Sequence, residues 1–112
     1  MERKVEKLLY DILDAINSIE NYFGEKKYFA EYQGNKMRKR AIERELQIIG
    51  EAMKRLIEIM NVTGITEPLR IIDFRNRITH GYDSVEDDVV WGIIINHLPK
   101  LKTEVEALLK SE

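Results

Sequence analysis

Two long stretches of the sequence place an apolar residue at alternating intervals of four and three positions. The first stripe comprises Val5, Leu9, Ile12, Ile16, Ile19 and Phe23, and the second comprises Ile42, Leu46, Ile49, Met53, Leu56 and Met60. This spacing follows the 3.6-residue turn of an α-helix, so each stretch predicts a long helix with one apolar face. Because no part of the chain shows the two-residue alternation of a strand, the pattern predicts an all-α fold.

Glycine and polar capping residues mark where these helices end and where a third one begins. Gly24 predicts the end of the first helix, and Gly34 with Asn35 interrupts a short aromatic segment ahead of the second. Thr66 is expected to cap a third helix, because its hydroxyl can accept a hydrogen bond from a free backbone N–H group. Gly81 is expected to end that helix in a left-handed conformation.

A fourth helix is predicted for the C-terminal part of the chain. Ser84 and Asp87 resemble a capping box at its start, and Pro99 should kink or break it near Leu98 because proline removes a hydrogen-bond donor. The prediction is therefore an up-down bundle of four to five helices, with the last helix kinked at Pro99. Residues 1–112 are expected to form a single domain.

The composition narrows the class of protein. The chain has 112 residues, of which 44 % are hydrophobic and 34 % charged, which fits one folded core. The absence of cysteine excludes disulfides and cysteine metal sites. No signal peptide and no apolar run of membrane-spanning length are recognisable, so a cytoplasmic protein without a membrane partner is expected. The net charge of −2 means that any nucleic acid must be bound by a local basic patch.

Additional apolar residues widen the faces of the two long helices. They are Leu8, Leu13, Ile48, Ile57 and Ile59, and the run VVWGIII is apolar on nearly every side. Such an excess favours a second buried face and therefore a homodimer. The alternative is that a small bundle needs these residues for its own core.

The segment FRNRITHGY, residues 74–82, concentrates polar chemistry at the end of the third helix. Asn76 and His80, four residues apart, share a face that lies roughly opposite the apolar face of Ile71 and Phe74, and Arg75 lies between the two faces. Histidine can act as a general acid or base near neutral pH, and arginine can stabilise a phosphate with planar, paired donors. An amide can orient either group, and a two-fold dimer would bring two histidines together.

Other interpretations of the histidines remain open. An arginine and a histidine at a helix C-terminus also complement the helix dipole without any catalytic role. A metal site formed by His80 with Asp73 or Asp83 lacks a known ligand spacing, so no metal is expected. His97 has no acidic or arginine partner in the local sequence, which favours a packing or surface histidine.

The piece DFRNRITHGYDSVEDDVVW, preceded by ELQIIGEAMKRL, resembles the HepT-like branch of the HEPN domains, and the resemblance covers nearly the whole chain. It implies an all-α, dimeric ribonuclease that works without metal or other cofactor, through an R-x4-6-H motif at the dimer cleft. It further implies the toxin of a type VII HEPN/MNT toxin–antitoxin system. The implied partners are an RNA substrate and an MntA-like minimal nucleotidyltransferase, which acts as the antitoxin.

The resemblance also assigns roles to individual residues. Arg75 and His80 match the two named positions of the motif, and Asn76 matches the polar position after the arginine. Tyr82 matches the tyrosine that receives AMP from the nucleotidyltransferase. A phosphoryl group there would block the cleft and compete for Arg75. The alternative for Tyr82 is an aromatic lid packed beside the end of the helix.

A basic cluster precedes the second apolar stripe and is a weaker candidate for RNA binding. It contains Lys36, Arg38, Lys39 and Arg40. These residues could guide RNA toward the cleft, or they could be the solvated start of a helix.

Two acidic residues, Glu51 and Asp73, could orient a site residue, but the pattern favours surface acids.

The alternative to a nuclease is a non-catalytic helical binding module that docks the minimal nucleotidyltransferase.

Overall fold

The chain forms a bundle of helices in a computed structural model. The structure describes residues 2–24, 26–59, 64–79 and 87–111, with the backbone alone for 77–79. The helices are α1 (Arg3–Phe23), α2 (Phe29–Gln33), α3 (Lys36–Ile59), α4 (Pro68–Thr79), α5 (Asp87–Gly92) and α6 (Leu98–Lys110), with a π-helical segment (Ile93–His97) between α5 and α6. These ranges contain no strand, so the predicted all-α bundle is confirmed.

Both predicted stripes form the core of the bundle. Every residue of the first stripe is buried, and so are those of the second from Ile42 to Leu56, while Met60 lies outside the described residues. Helix α3 packs against α1 on one side and against α4 on the other, and α6 packs against α1. Burying one such side chain contributes roughly 1.5–3 kcal/mol, so the two stripes supply a large part of the stabilising burial.

Helices α1 and α3 run in opposite directions, as an up-down bundle requires. The Tyr22 hydroxyl near the end of α1 donates a 2.8 Å hydrogen bond to Glu45 in the first half of α3. At the other end, Leu8 and Ile59 line the same groove. Gly24 ends α1 with a φ of 72°, which confirms the predicted stop.

The start of α3 depends on a side-chain cap. The N–H group of Arg38 donates a 2.9 Å hydrogen bond to the Asn35 Oδ1 atom. An N-terminal N–H group, which has no partner within the helix, is thereby satisfied. Asn35 therefore caps the start of α3 in addition to separating it from α2.

Thr66 does not cap α4 as predicted. Its N–H group and its hydroxyl both donate to the Glu104 carboxylate, at 3.1 Å and 2.8 Å. Glu67 follows with a φ of 53°, and α4 then begins at Pro68. The prediction failed because the partner of Thr66 is an acid in α6, 38 residues further along the chain.

The last helix changes geometry one turn before Pro99 instead of breaking there. In the π-helical segment the Leu98 N–H group donates to the Ile93 carbonyl, five residues back, and α6 continues through Pro99. Ser84 of the predicted capping box lies outside the described residues. None of the helices described is long and apolar enough to cross a membrane.

Candidate functional site

Helix α4 approaches α3 closely at Gly50. A β-carbon at this position would lie 2.9 Å from Cγ of Arg75 and 3.1 Å from the carbonyl oxygen of Ile71. Because real β-carbons almost never come within 3 Å of other heavy atoms, only glycine fits without a shift of α4. The absence of a side chain at Gly50 therefore allows Arg75 to approach α3 closely.

The Arg75 guanidinium is held between two helices. Its Nη1 atom donates a 2.9 Å hydrogen bond to Oδ1 of Asn76, and its Nη2 atom lies 3.5 Å from Oε1 of Glu51. The Nε atom is buried and has no hydrogen-bond partner, whereas 21 % of the side chain remains exposed. A guanidinium held in one orientation on a partly exposed side chain can donate hydrogen bonds to an oxyanion such as a phosphate.

The faces of α4 are arranged as the spacing predicts. Ile71 and Phe74 are buried in the core, whereas Asn76 is half-buried and Leu69 is 60 % exposed. Leu69 and Asn76 are seven residues apart and therefore lie on the same outer face of α4. Asp73, which is exposed, shares this face.

The remaining motif residues lie outside the described part of the chain. His80 and Tyr82 fall in the undescribed residues 80–86, and for Ile78 only the backbone is described. The structure therefore brings together Arg75 and Asn76 of the predicted site. The roles assigned to His80 and Tyr82 stay predictions.

Glu51 fits both of the roles that the sequence left open for it. Its carboxylate lies 3.5 Å from Arg75 across the α3–α4 contact, while 46 % of its side chain is exposed at the surface. Gly50 carries a signal that could have found this contact, because a glycine within a helical pattern often marks a close helix approach. Asp73, in contrast, is exposed at a hollow of about 220 Å³ that Phe74 and Val89 also line.

The four basic residues of the predicted RNA-binding cluster divide into two pairs. Arg38 lies 3.6 Å from Glu31, and Lys39 lies 2.8 Å from the Asp87 carboxylate, so both already have partners within the fold. Lys36 and Arg40 are exposed. RNA binding by this cluster stays a prediction that fits the exposed pair better than Arg38 and Lys39.

His97 is buried, which agrees with a packing histidine. Only 7 % of the residue is exposed, and its Nε2 atom has no hydrogen-bond partner. Burial lowers the pKa of this imidazole below its ordinary value of 6.5. The nearby cations Arg70 and Lys100 also lower this pKa, while two neighbouring carboxylates, those of Glu67 and Glu104, oppose the shift.

Within residues 2–24, 26–59, 64–79 and 87–111, no three His, Cys, Asp or Glu side chains are grouped so that they could hold a metal ion. The chemistry available at the described part of the site is that of a guanidinium, an amide and a carboxylate. The guanidinium and the amide can bind and orient a phosphate. Of the three groups, only the carboxylate could transfer a proton.

Comparison with known proteins places this site in context. A protein of Thermococcus cleftensis named "Probable ribonuclease HepT" is 32 % identical over 111 residues, which cover 98 % of this chain and 100 % of the relative. Two proteins of Methanocaldococcus jannaschii are similarly related. "Putative RNase MJ1380" is 32 % identical over 94 % of this chain and 96 % of its own length, and "Putative RNase MJ0127" is 29 % identical over 97 % and 90 %.

No solved structure shows a significant match. The sequence matches the family described as "Ribonuclease HepT-like" over residues 12–108, a range that includes the α3–α4 contact and the whole FRNRITHGY segment. The chain therefore belongs to the HepT-like ribonuclease family.

Proposed function

We propose that the protein is a ribonuclease that cleaves RNA without a metal ion, at a site built around Arg75. The observation that carries the proposal is the Arg75 guanidinium, held between Glu51 and Asn76, with 21 % of the Arg75 side chain exposed. The names of the relatives support the same activity. As a toxin of a type VII toxin–antitoxin system, it would act on RNA in the cytoplasm.

The proposed reaction is a transesterification within RNA. The 2′-oxygen attacks the adjacent phosphorus and loses its proton to His80, the bond to the 5′-oxygen breaks, and a protonated histidine returns a proton to that leaving oxygen. Arg75 stabilises the negative charge that develops on the phosphorane. Asn76 holds the guanidinium and orients the phosphate.

A homodimer would complete this site. The motif contains one histidine, and a two-fold axis beside α4 would supply the second from the partner subunit. Exposed apolar surface on the outer side of α4 and α5 supports such an interface, since Leu69 is 60 % exposed and Val89 is 39 % exposed. Leu69 shares the outer face of α4 with Asn76, so the same contact would enclose the site.

Modification of Tyr82 would regulate the ribonuclease activity. In the proposal, an MntA-like nucleotidyltransferase transfers AMP to its hydroxyl, and the added phosphate blocks the cleft two residues from His80. The negative charge would also compete with RNA for Arg75.

The test is RNA cleavage by the purified, unmodified protein in EDTA, beside His80→Ala and Arg75→Ala. Intact mass confirms that Tyr82 carries no AMP, and thermal unfolding confirms that the variants are folded. The expected result is cleavage by the wild type alone. If the wild type leaves a broad panel of RNAs intact, the ribonuclease proposal fails and the protein acts instead as a binding module for the nucleotidyltransferase.

A further inference from the structure

The outward face of α3 carries a row of basic side chains, which we call the basic row. It consists of four exposed residues, Lys36, Arg40, Arg44 and Arg55. At 100° per residue, all four lie within about 100° of the helix circumference. The first three are four residues apart, so neighbours are separated by about 6 Å along the helix, and the whole row extends over about 28 Å.

The acidic residues between the ends of the basic row leave its charge largely uncompensated. Glu45 accepts a hydrogen bond from a tyrosine of α1, and Glu51 lies beside Arg75. Glu43 is partly buried, and burial raises the pKa of its carboxyl group, while nearby cations, Arg40 among them, oppose that shift. Among the described residues, no member of the row forms an ion pair with a carboxylate. A chain with a net charge of −2 therefore has a local positive surface on α3.

The basic row passes the proposed phosphate-binding residue. Glu51, which lies 3.5 Å from the Arg75 guanidinium, is on the same face of α3 between Arg44 and Arg55. Along the helix axis, Glu51 is about 6 Å from Arg55 and about 10 Å from Arg44. A polyanion that places one of its phosphates at Arg75 would therefore meet a cation on either side of it.

A groove between α1 and α3 runs beside this part of the basic row. It consists of two adjoining hollows of about 410 Å³ and 110 Å³, which are both lined by Leu8, Asp11 and Arg55. Ile48 and Ala52 also line the smaller hollow, so part of the groove is apolar. Arg55 thus belongs to the row and to the wall of the groove.

The acids of this groove favour bases over phosphates. Asp11 pairs with Lys7 at 3.0 Å, and the exposed Glu58 lines the larger hollow. Carboxylates repel phosphates, but they can accept hydrogen bonds from the amino groups of bases. The arrangement fits a strand whose phosphates follow the row and whose bases turn into the groove. Only unpaired bases can turn outward in this way, which favours single-stranded RNA over a duplex.

From this arrangement we infer that the basic row is a binding surface for single-stranded RNA, in which Arg44 and Arg55 bind phosphates on either side of the one at Arg75. The inference rests on the proposed function, and it adds these two arginines to the exposed cations that the sequence suggested. An acidic protein would also be attracted to the row. The regular spacing of the cations, the adjoining groove and the position of Arg75 within the row favour RNA.

The experiment measures binding of a labelled single-stranded RNA of about ten nucleotides, with every protein carrying His80→Ala so that no strand is cut. Arg44→Gln and Arg55→Gln should each weaken binding by roughly three- to tenfold at low salt. Each should also reduce the slope of log K against log salt concentration by about 0.7. Lys110→Gln, which removes an exposed charge from α6, should change neither quantity. Thermal unfolding confirms that the variants are folded.

The length of the RNA separates an extended binding surface from a general effect of charge. A dinucleotide has a single phosphate, which the site at Arg75 can hold alone, so its affinity should be the same with and without Arg44→Gln. Arg75→Gln should weaken the binding of both lengths. A duplex of the same sequence should bind more weakly than the single strand, because its bases cannot enter the groove.

The outcomes distinguish this inference from the proposed function. If Arg44→Gln and Arg55→Gln bind the long strand with unchanged affinity and salt dependence, RNA does not follow the basic row and the inference is wrong. A duplex that binds as tightly as the single strand would also overturn it. If the protein with His80 intact cuts no RNA while binding still depends on the two arginines, the ribonuclease proposal fails and the binding surface stands.

Discussion

Gly50 and Arg75 meet where α3 and α4 come closest, and the contact leaves no room for a methyl group on the glycine. The same contact places Glu51 beside the guanidinium. The packing of α3 against α4 and the orientation of Arg75, the proposed phosphate-binding residue, therefore both depend on the glycine at position 50.

Gly50→Ala should lower the free energy of unfolding by about 1–3 kcal/mol, because the added methyl group displaces α4 or Arg75. Denaturant unfolding measures the change. Gly92→Ala is the matched control: this glycine is also helical, but a β-carbon there meets nothing within 4 Å. The control should stabilise the protein by up to about 1 kcal/mol, since alanine favours a helix. Equal effects at both positions would contradict the tight contact.

Glu51→Gln should tighten RNA binding about two- to fivefold, because it removes a negative charge that competes with phosphate for Arg75. The dissociation constant is best measured in a His80→Ala background, so that no substrate is cut. Glu58→Gln, an exposed acid on the same helix, provides the control for a general change in charge. Weaker binding by Glu51→Gln would mean that the acid orients Arg75 for RNA instead of competing with it.

Glu104→Ala should destabilise the protein by about 1 kcal/mol, because the Thr66 N–H and hydroxyl lose their acceptor ahead of α4. Partial exposure to water keeps the loss moderate. Glu106→Ala, two residues further along α6, should change thermal stability much less. A Glu104→Ala variant as stable as the wild type would show that water replaces the carboxylate without cost.

Stability should fall when the pH is lowered through the range below about 6.5, because burial keeps His97 neutral in the folded state. The unfolded chain binds a proton near pH 6.5, whereas the folded chain binds it only at lower pH, so the free energy of unfolding rises with pH between these two pKa values. Denaturant unfolding from pH 4.5 to 8 measures this slope.

His97→Leu should flatten that slope in the range below about pH 6.5, because the variant has no imidazole to protonate on unfolding. The raised pKa of the Glu43 carboxyl group acts in the opposite direction near its own titration, so the difference between wild type and variant isolates the histidine. Identical slopes in both proteins would show that His97 takes up its proton in the folded state as readily as in the unfolded chain.

Much of the fold could be predicted from the sequence because burial in a helix repeats along the chain. The two stripes identified α1 and α3, and Gly24 correctly marked the end of α1. The partner of Thr66 could not be predicted, since a hydrogen bond to an acid 38 residues away leaves no periodic signal. Pro99 predicted a disturbance of the last helix but not its π-helical form.

The site was predictable in its residue types and less so in its contacts. Arg75 and Asn76 were identified from the motif and lie together, but the ion pair with Glu51 depends on how α3 and α4 pack. Lys39 was grouped with neighbouring cations because sequence shows only local charge. Its carboxylate partner, Asp87, is 48 positions later, so an RNA-binding interpretation and a structural one could not be separated beforehand.

The π-helical segment gives the last helix an unusual tolerance for changes in chain length. A π-turn holds one residue more than an α-turn, and Ile95 within it is 39 % exposed. Loss of that residue during evolution would convert the segment to ordinary α-helix while Val90 before it and Leu101 after it still faced the core. A deletion elsewhere in α6 would rotate the following residues by about 100° and turn their apolar side chains outward. Relatives that differ by one residue in this helix should therefore differ here.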